Sequence, residues 1–344
     1  METVNTPKIT VITTTYNLYS DNRENYFRQC VESVHNQTYP NIEHIVMDGA
    51  STDGTLDLIK EYEEKGWLKC YSEPDKGIDD GYNHGLSHAT GKYVFFMNSD
   101  DFYFSNDVLD ECVRKMEEEK ADYCYGSEDK FDRNGKFVYH WVPRPEIFWH
   151  DMPFSHQTMG VRRDVLNSLG NYNTECGFGG DYHLVIQLIV GGYKGIEISK
   201  TISGYRLGGI SSQIEDKAKQ MRVFYVLAKR IMDFSHLFYD DITIDQCLNI
   251  YFGARTNPNV FPPYYLQKLI RFMVEKRLKY FNYNAFIDYV NNLTVPHTTP
   301  SQQYRAEKKY FVFGLFPLFT IQIKSNVSRI YLFDFIPLLK IKSK

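Results

Sequence analysis

Between residues 8 and 120 the chain alternates short apolar runs with longer stretches whose apolar residues recur every three or four positions. The runs 9–13, 42–47, 68–72 and 93–97 predict strands. They are nearly continuous in apolar character, as strands buried on both faces of a parallel sheet are. Helical spacing falls between them. In 26–37, Phe27, Cys30, Val31 and Val34 form one stripe. The segments 55–66, 79–89 and 108–119 read the same way, and the last ends in a solvated charge run. Ser51 or Asp53 can cap the helix that starts at Thr55. Strand–helix alternation of this kind predicts an α/β fold with a mainly parallel, doubly wound sheet and flanking helices.

The rhythm breaks after residue 120. Runs at 121–127 and 136–142 predict strands around a turn at Asn134-Gly135. Pro143, Pro145 and Pro153 exclude a long helix after them. The segment 181–190 predicts a helix ended by Gly191-Gly192. Residues 211–295 read as helical, at 215–234, 243–251 and 264–292, the last broken near Asn282. A Pro- and Thr-containing linker covers 294–301. The tail repeats itself: Tyr310-Phe311-Val312-Phe313-Gly314-Leu315-Phe316-Pro317-Leu318-Phe319 matches Ile330-Tyr331-Leu332-Phe333-Asp334-Phe335-Ile336-Pro337-Leu338-Leu339 twenty residues later. Two copies are too few for a solenoid, so a small β unit is expected. The divisions implied are 1–210, 211–299 and 300–344.

Composition narrows the class. A hydrophobic fraction of 43% over 344 residues supports a real core. The 27 Tyr and 24 Phe suit carbohydrate faces and interfaces, although most aromatics simply pack. Of 39 basic and 43 acidic residues, 14 and 4 lie in 255–344, so that stretch carries +10 and the rest −14. Such asymmetry predicts a basic surface for an anionic partner. No nucleic-acid recognition motif accompanies it, and nucleic acid is not expected as a partner. The six cysteines form no CxxC pair and no zinc spacing, which predicts free thiols in a reducing cytosol. The polar start, residues 1–8, is no secretory leader, and no apolar run approaches the ~20 residues that span a bilayer. The expected location is cytoplasmic, peripheral at the inner face of the plasma membrane at most.

Candidate chemistry gathers where the predicted strands end. Thr14-Thr15-Tyr16-Asn17 follows the first, Asp48-Gly49-Ala50-Ser51-Thr52-Asp53-Gly54-Thr55 the second, and Asn98-Ser99-Asp100-Asp101 the fourth. In an open α/β sheet, residues just past the carboxyl ends line the ligand crevice. Carboxylates there suit a nucleotide, with a divalent metal on its phosphates.

These segments, together with Asp75-Lys76-Gly77-Ile78, resemble the family 2 glycosyltransferases in order and spacing, over roughly 8–210. The likeness is to bacterial enzymes that build capsule, O-antigen or exopolysaccharide. It implies a GT-A fold and a nucleotide-sugar donor. It implies metal binding (Mn²⁺ or Mg²⁺) by Asp100 with Asp101 beside it. This copy reads Asn-Ser-Asp rather than Asp-x-Asp, which leaves Asn98 and Ser99 as nucleotide contacts. Asp48 is then the acid for a uracil imide, Tyr16 a stacking face, Thr14 and Asn17 contacts to base or ribose, and Lys76 a diphosphate contact. Asp80 and Asn83, one helical turn apart, can both face the pocket. Asp181, after Gly179-Gly180, matches the catalytic base; its structural alternative is a plain helix cap. An inverting transfer needs that one base alone. His156 and Gln157 lie in a segment similar to the family's acceptor side. Tyr205 opens a segment that can order over the diphosphate.

The resemblance therefore implies an inverting, metal-dependent transferase. It would move one sugar from a UDP-sugar to a glycan or lipid-linked acceptor. Processive synthases also carry membrane helices and Gln-x-x-Arg-Trp, and this sequence has neither. Two rivals stand beside it. A sugar-phosphate nucleotidyltransferase needs a Gly-rich loop after the first strand, where this chain reads Thr15-Tyr16-Asn17-Leu18-Tyr19. A non-catalytic carbohydrate-binding protein would lack the metal acid or the base. For the tail, docking on an anionic leaflet competes with packing, or with a homodimer seam, through Phe311, Phe313, Phe333 and Phe335.

Overall fold

The computed structural model describes residues 6–149, 151–176 and 179–209, then 243, parts of 268–294, and four strands between 307 and 342. The chain divides into two units, Met1–Phe148 with Met152–Leu227, and Trp149–Asp151 with Ala228–Lys344. The helices expected at 215–234 and 243–251 lie outside the described residues, apart from Thr243.

In the first unit the expected elements form in order: β1 (Ile9–Thr15), α1 (Glu24–His35), β2 (Ile42–Asp48), α2 (Thr55–Glu64), β3 (Lys69–Ser72), α3 (Ile78–His88), β4 (Tyr93–Asn98) and, after the two-residue β5 (Phe102–Tyr103), α4 (Val108–Glu119). The α1 stripe is the one the spacing requires: Phe27, Cys30, Val31 and Val34 are all buried. Each such side chain contributes roughly 1.5–3 kcal/mol, so the stripe fixes which face of α1 meets the sheet. There follow β6 (Tyr123–Phe131), β7 (Phe137–Trp141), β8 (Gly160–Arg162), α5 (Arg163–Leu169), α6 (Gly180–Val190) and β9 (Gly195–Arg206).

The nine strands run β3-β2-β1-β4-β8-β6-β9-β5, with β7 on β6. Only half of the sheet is the parallel structure the pattern predicts. The pairs β2–β3, β1–β2 and β1–β4 are parallel. Beyond β4 the sheet is mixed: β4–β8, β6–β8, β6–β7 and β5–β9 are antiparallel, and β6–β9 is parallel. The expected β6–β7 hairpin forms, and Gly135 N–H donates to Asp132 O across its turn at 3.0 Å.

In the second unit, Lys268, Leu269, Arg271, Phe272 and Glu275 are helical, and a new helix, α7 (Tyr283–Thr294), starts after Asn282. Asn282 Oδ1 caps it by accepting from Ala285 N–H at 3.1 Å. The tail forms a four-stranded antiparallel sheet of β10 (Glu307–Tyr310), β11 (Phe319–Lys324), β12 (Val327–Leu332) and β13 (Ile336–Lys342). Its register explains the internal repeat. Glu307 pairs Gln322 and Tyr310 pairs Phe319; twenty residues later Val327 pairs Lys342 and Ile330 pairs Leu339. Each copy is therefore one hairpin in the same register. Among the described residues no helix is long and apolar enough to cross a membrane.

Candidate active site at the carboxyl edge of the sheet

From β1 the chain moves outward to β2 and β3, then returns on the other side of β1 to form β4. A reversal of this kind opens a crevice beyond the carboxyl ends of the two strands. Its walls are residues 14–17 after β1 and 98–101 after β4.

On the β1–β2 side, Asp48 is only 1% exposed. Its carboxylate accepts from Ser51 N–H at 2.9 Å, Ser72 Oγ at 2.8 Å, Ser51 Oγ at 2.5 Å and Thr15 Oγ at 3.3 Å. Four donors fill its usual capacity. Asn17, in the left-handed region, donates its backbone N–H to Ser51 Oγ at 2.9 Å and accepts from Thr52 N–H at 3.0 Å. Asp53 accepts from Thr55 N–H at 3.2 Å and Ser20 N–H at 2.8 Å, so it ties the loop to the start of α2, whose N-cap is Gly54 rather than Ser51 or Asp53. The loops here are knitted by their own side chains. Tyr16, by contrast, is 58% exposed. Its ring leans on Gly49, where a Cβ would lie 3.3 Å from Tyr16 Cδ2 and 2.8 Å from Asp75 Oδ2. Thr14 is half-buried beside this shelf.

The Asp75 carboxyl, pushed up in pKa by burial, faces the same shelf. Sequence reading quoted its motif yet gave Asp75 no role. Its signal was the Asp75-Lys76-Gly77 turn, where Asp75 Oδ1 accepts from Gly77 N–H at 2.9 Å. Lys76 is exposed, and its backbone N–H donates to Asp80 at 3.0 Å, so Asp80 serves the turn that opens α3.

On the β4 side, the two acids differ. Asp101 is 1% exposed and fully engaged. It accepts from Arg206 N–H at 2.8 Å, Gln157 Nε2 at 2.9 Å and Asn98 Nδ2 at 3.1 Å. Asp101 and Gln157 are thus partners of each other rather than groups presented to metal and acceptor. Asn98 also accepts from Tyr82 OH at 2.7 Å, and Ser99 is buried. Asp100 is half-buried. Burial raises its pKa, while Arg23 and Arg206 pull it back. No side chain among the described residues hydrogen-bonds its carboxylate. A carboxylate partly stripped of water and unpaired in this way fits a divalent cation, which would relieve its desolvation. No cluster of three or more His, Cys, Asp or Glu forms a protein-only cage among the described residues. Phosphate oxygens and water would have to complete the shell.

Arg206 was missed by sequence reading as a site group. Its guanidinium donates to Asp100 O and to Gln29 Oε1 and lies 4.2 Å from the Tyr26 ring centroid. Tyr205 sits half-buried next to it, with the Lys130 ammonium 3.6 Å over its ring.

Three expected contacts receive other partners. His156 is 5% exposed, bonded through Nε2 to Tyr172 OH and stacked on Phe96 at 4.8 Å. Burial lowers its pKa to about 3. It is a neutral, buried histidine whose Nε2 is used within the fold. Asn83 donates to Tyr172 O at 2.8 Å and accepts from Tyr172 N–H at 2.9 Å, which uses its amide within the fold rather than on a nucleotide. Asp101, expected on the metal, is the third. Asp181 does lie in the first turn of α6, half-buried, with Oδ1 accepting from Tyr182 N–H at 2.6 Å.

Known proteins place this fold. A mannosyltransferase from Pyrobaculum calidifontis, solved with GDP-Man and Mn²⁺, superposes with a TM-score of 0.54 at 19% identity, over 84% of this chain and 80% of its own. Residues 1–349 of TarS from S. aureus, solved with UDP-GlcNAc, superpose with a TM-score of 0.55 at 19% identity, over 83% of each chain. The fold is that of the GT-A glycosyltransferases. The family description Glycosyl transferase family 2 matches residues 10–171. Glycosyltransferase GlyA of Streptococcus pneumoniae is 36% identical over 135 residues, 39% of this chain and 18% of GlyA. The Bacillus subtilis protein EpsE, also named a glycosyltransferase, is 32% identical over 175 residues, 49% of this chain and 61% of EpsE. The match thus spans less than two thirds of either relative.

Proposed function

We propose that this chain is an inverting glycosyltransferase that moves one sugar from a UDP-sugar to a glycan or lipid-linked acceptor in bacterial surface-polysaccharide synthesis. One observation carries the reading. The β1/β4 reversal brings an exposed stacking ring, Tyr16, and the unpaired acid Asp100 to one crevice, and α3 ties the Asp181 helix to the same edge. Tyr16, Asp75 and Thr14 receive the base. Asp100 holds Mn²⁺ or Mg²⁺, which when bound neutralises the leaving diphosphate. Asp181 takes the proton from the acceptor hydroxyl as that oxygen bonds to the anomeric carbon and the carbon–phosphate-oxygen bond breaks. Asp101, Asn98 and Arg206 hold the turn that carries Asp100.

A donor screen that reads UDP or GDP release, with and without Mn²⁺, tests this. Release from a UDP-sugar that rises with metal is expected. Release from no nucleotide-sugar, or metal-independent release, overturns the reading.

The same reading places the tail at an anionic membrane surface, where lipid-linked acceptors reside. The charge of +10 over 255–344 supports it. Each basic residue near such a surface contributes about 1 kcal/mol. Co-sedimentation with phosphatidylglycerol vesicles should be salt-sensitive and should weaken in Arg329→Glu/Lys340→Glu. Equal binding by that variant, or no binding by the full chain, removes the membrane from the proposal.

A further inference from the structure

Asp79 is a carboxylate that the reaction as written does not use, yet it is 7% exposed. It stands in the first turn of α3, and its Oδ2 accepts from Gly180 N–H, the first residue of α6, at 3.0 Å. Two eleven-residue helices thus bring their amino ends to one acid. Aligned peptide dipoles make each end a favourable place for negative charge, which is the physical reason a buried carboxylate is tolerated there. The next residue of α6 is Asp181.

The contact is tight enough to dictate sequence. A Cβ on Gly180 would lie 2.4 Å from Asp79 Oδ2 and 2.6 Å from its Cγ, and its three nearest neighbours are all Asp79 atoms. Glycine at 180 is therefore required by the Asp79 side chain, the group nearest to that Cβ. Four residues on, Asn83 clasps the backbone of Tyr172 in both directions. Helix α3 so grips the segment leading into α6 at two points, while its own opening turn carries Lys76 and Asp80 on the donor side.

We propose that Asp79 is a positioning residue: it fixes the amino end of α6 and thereby the Asp181 carboxylate relative to the donor-side turn that opens α3. This rests on Asp181 being the base. A base misplaced by an ångström costs rate rather than donor affinity.

The test uses the full chain, the UDP-sugar selected by the donor screen with water as acceptor, and UDP titration as an activity-independent readout. Asp79→Ala should lower kcat at least tenfold, with donor KM and UDP affinity within twofold. Asp79→Asn, which can still accept from Gly180 N–H, should stay within about threefold. Gly180→Ala should lose both kcat and melting temperature in the native background. In the Asp79→Ala background the same change should cost nothing further, because the clash is gone; such non-additivity marks direct contact. A kcat within threefold for Asp79→Ala overturns the proposal. So does a parallel fall of kcat, UDP affinity and melting temperature, which is mere structural loss. If Asp79→Ala does not fold, Gly180→Ala against Asp79→Asn carries the same comparison. Asp181→Asn is measured alongside: if it keeps kcat, the base assignment falls and the positioning role with it, whereas its loss beside an unaffected Asp79→Ala sinks the positioning role alone.

Discussion

The two halves of the large sheet treat buried charge in opposite ways. In the parallel half, β3-β2-β1-β4, the buried strand acids Glu43 and Asp48 are closed by their own neighbours. Glu43 on β2 accepts from Lys8 and Thr10 at 2.8 Å and from Thr90 N–H at 2.9 Å; burial works against it, yet these donors hold its pKa at about 2. Asp48 has four donors of its own. Where β4 meets the antiparallel β8, the acids are instead driven up. Burial raises Asp100 and Asp101, each worsened by a nearby carboxylate. Asp101 meets that cost with three internal donors, whereas the Asp100 carboxylate has none from a side chain among the described residues. The parallel half closes its strand acids, and Asp100, the acid without a side-chain donor, follows β4 at the seam with the mixed half.

The largest effect that would sharpen this contrast is at Asp181. Asp181→Asn should keep UDP binding and lose about 10²- to 10⁴-fold in kcat, the usual worth of a general base. A rate within a few-fold of the native protein moves the base elsewhere. Next is Asp100→Ala, with an expected loss of roughly 10²- to 10³-fold in rate, in the range for removing one charge-stabilising group. It should also remove the Mn²⁺ enhancement of UDP affinity in calorimetry. Asp101→Asn should instead lower the melting temperature, since its carboxylate serves three internal donors. If Asp101→Asn abolishes the metal enhancement and Asp100→Ala does not, the two roles are reversed.

A smaller effect asks whether the halves are equally dry. Each holds one buried histidine, His44 on β2 and His156 before β8, and burial lowers both to about 3. The folded values lie below the unfolded value near 6.5, so the unfolded chain takes up protons that the fold refuses. Stability is therefore fully present above about pH 6.5 and lost as pH falls toward 3. The slope is ~1.4 kcal/mol per pH unit for each histidine. Between 6.5 and 4.5 Glu43 contributes nothing, because its unfolded form is still ionised. Urea midpoints at pH 7.0, 6.0 and 5.0 measure the slope, and His156→Phe should remove the share of one histidine from it. An unchanged slope in that variant means that His156 is protonated within the fold.

The parallel half was legible because its signals are local. Apolar runs, helical stripes and strand-end motifs each sit within a dozen residues, and β1, β2, α2, α4 and β4 fall within about two residues of their expected bounds. The mixed half was legible only in part: the β6–β7 hairpin and α6 were expected, but the strands that join them to the sheet were not. β5 and β8 are two and three residues long, too short for any periodicity, and β9, at twelve residues, mixes charged and small positions. The site divides the same way. Tyr16, Asp48, Asp100 and Asp181 were picked out as candidates by motifs that lie within a few residues of a strand end or helix start. What Asp79, Arg206, Asn83 and Asp101 do depends on partners 56 to 177 residues away, which no spacing rule reports.

Asn83 offers the smallest effect and the most direct trial of that boundary, because its two readings give opposite signatures. Read as a nucleotide contact, it would hold ribose or phosphate from the middle of α3. The structure gives its amide to Tyr172 instead, donor and acceptor both, across 89 residues. Asn83→Ala leaves the Tyr172 N–H and C=O, both partly buried, without their partner, at a cost of about 1–3 kcal/mol. That corresponds to a few degrees in melting temperature for a unit of this size. Asn83→Asp retains the acceptor for Tyr172 N–H and should lose less. In both variants donor KM should stay within twofold, because the clasp lies between α3 and the loop before α6 rather than over the donor shelf at Tyr16. A donor KM raised fivefold or more at unchanged melting temperature would return Asn83 to the nucleotide. It would also show that the loop before α6 is held to the parallel half by Asp79 alone.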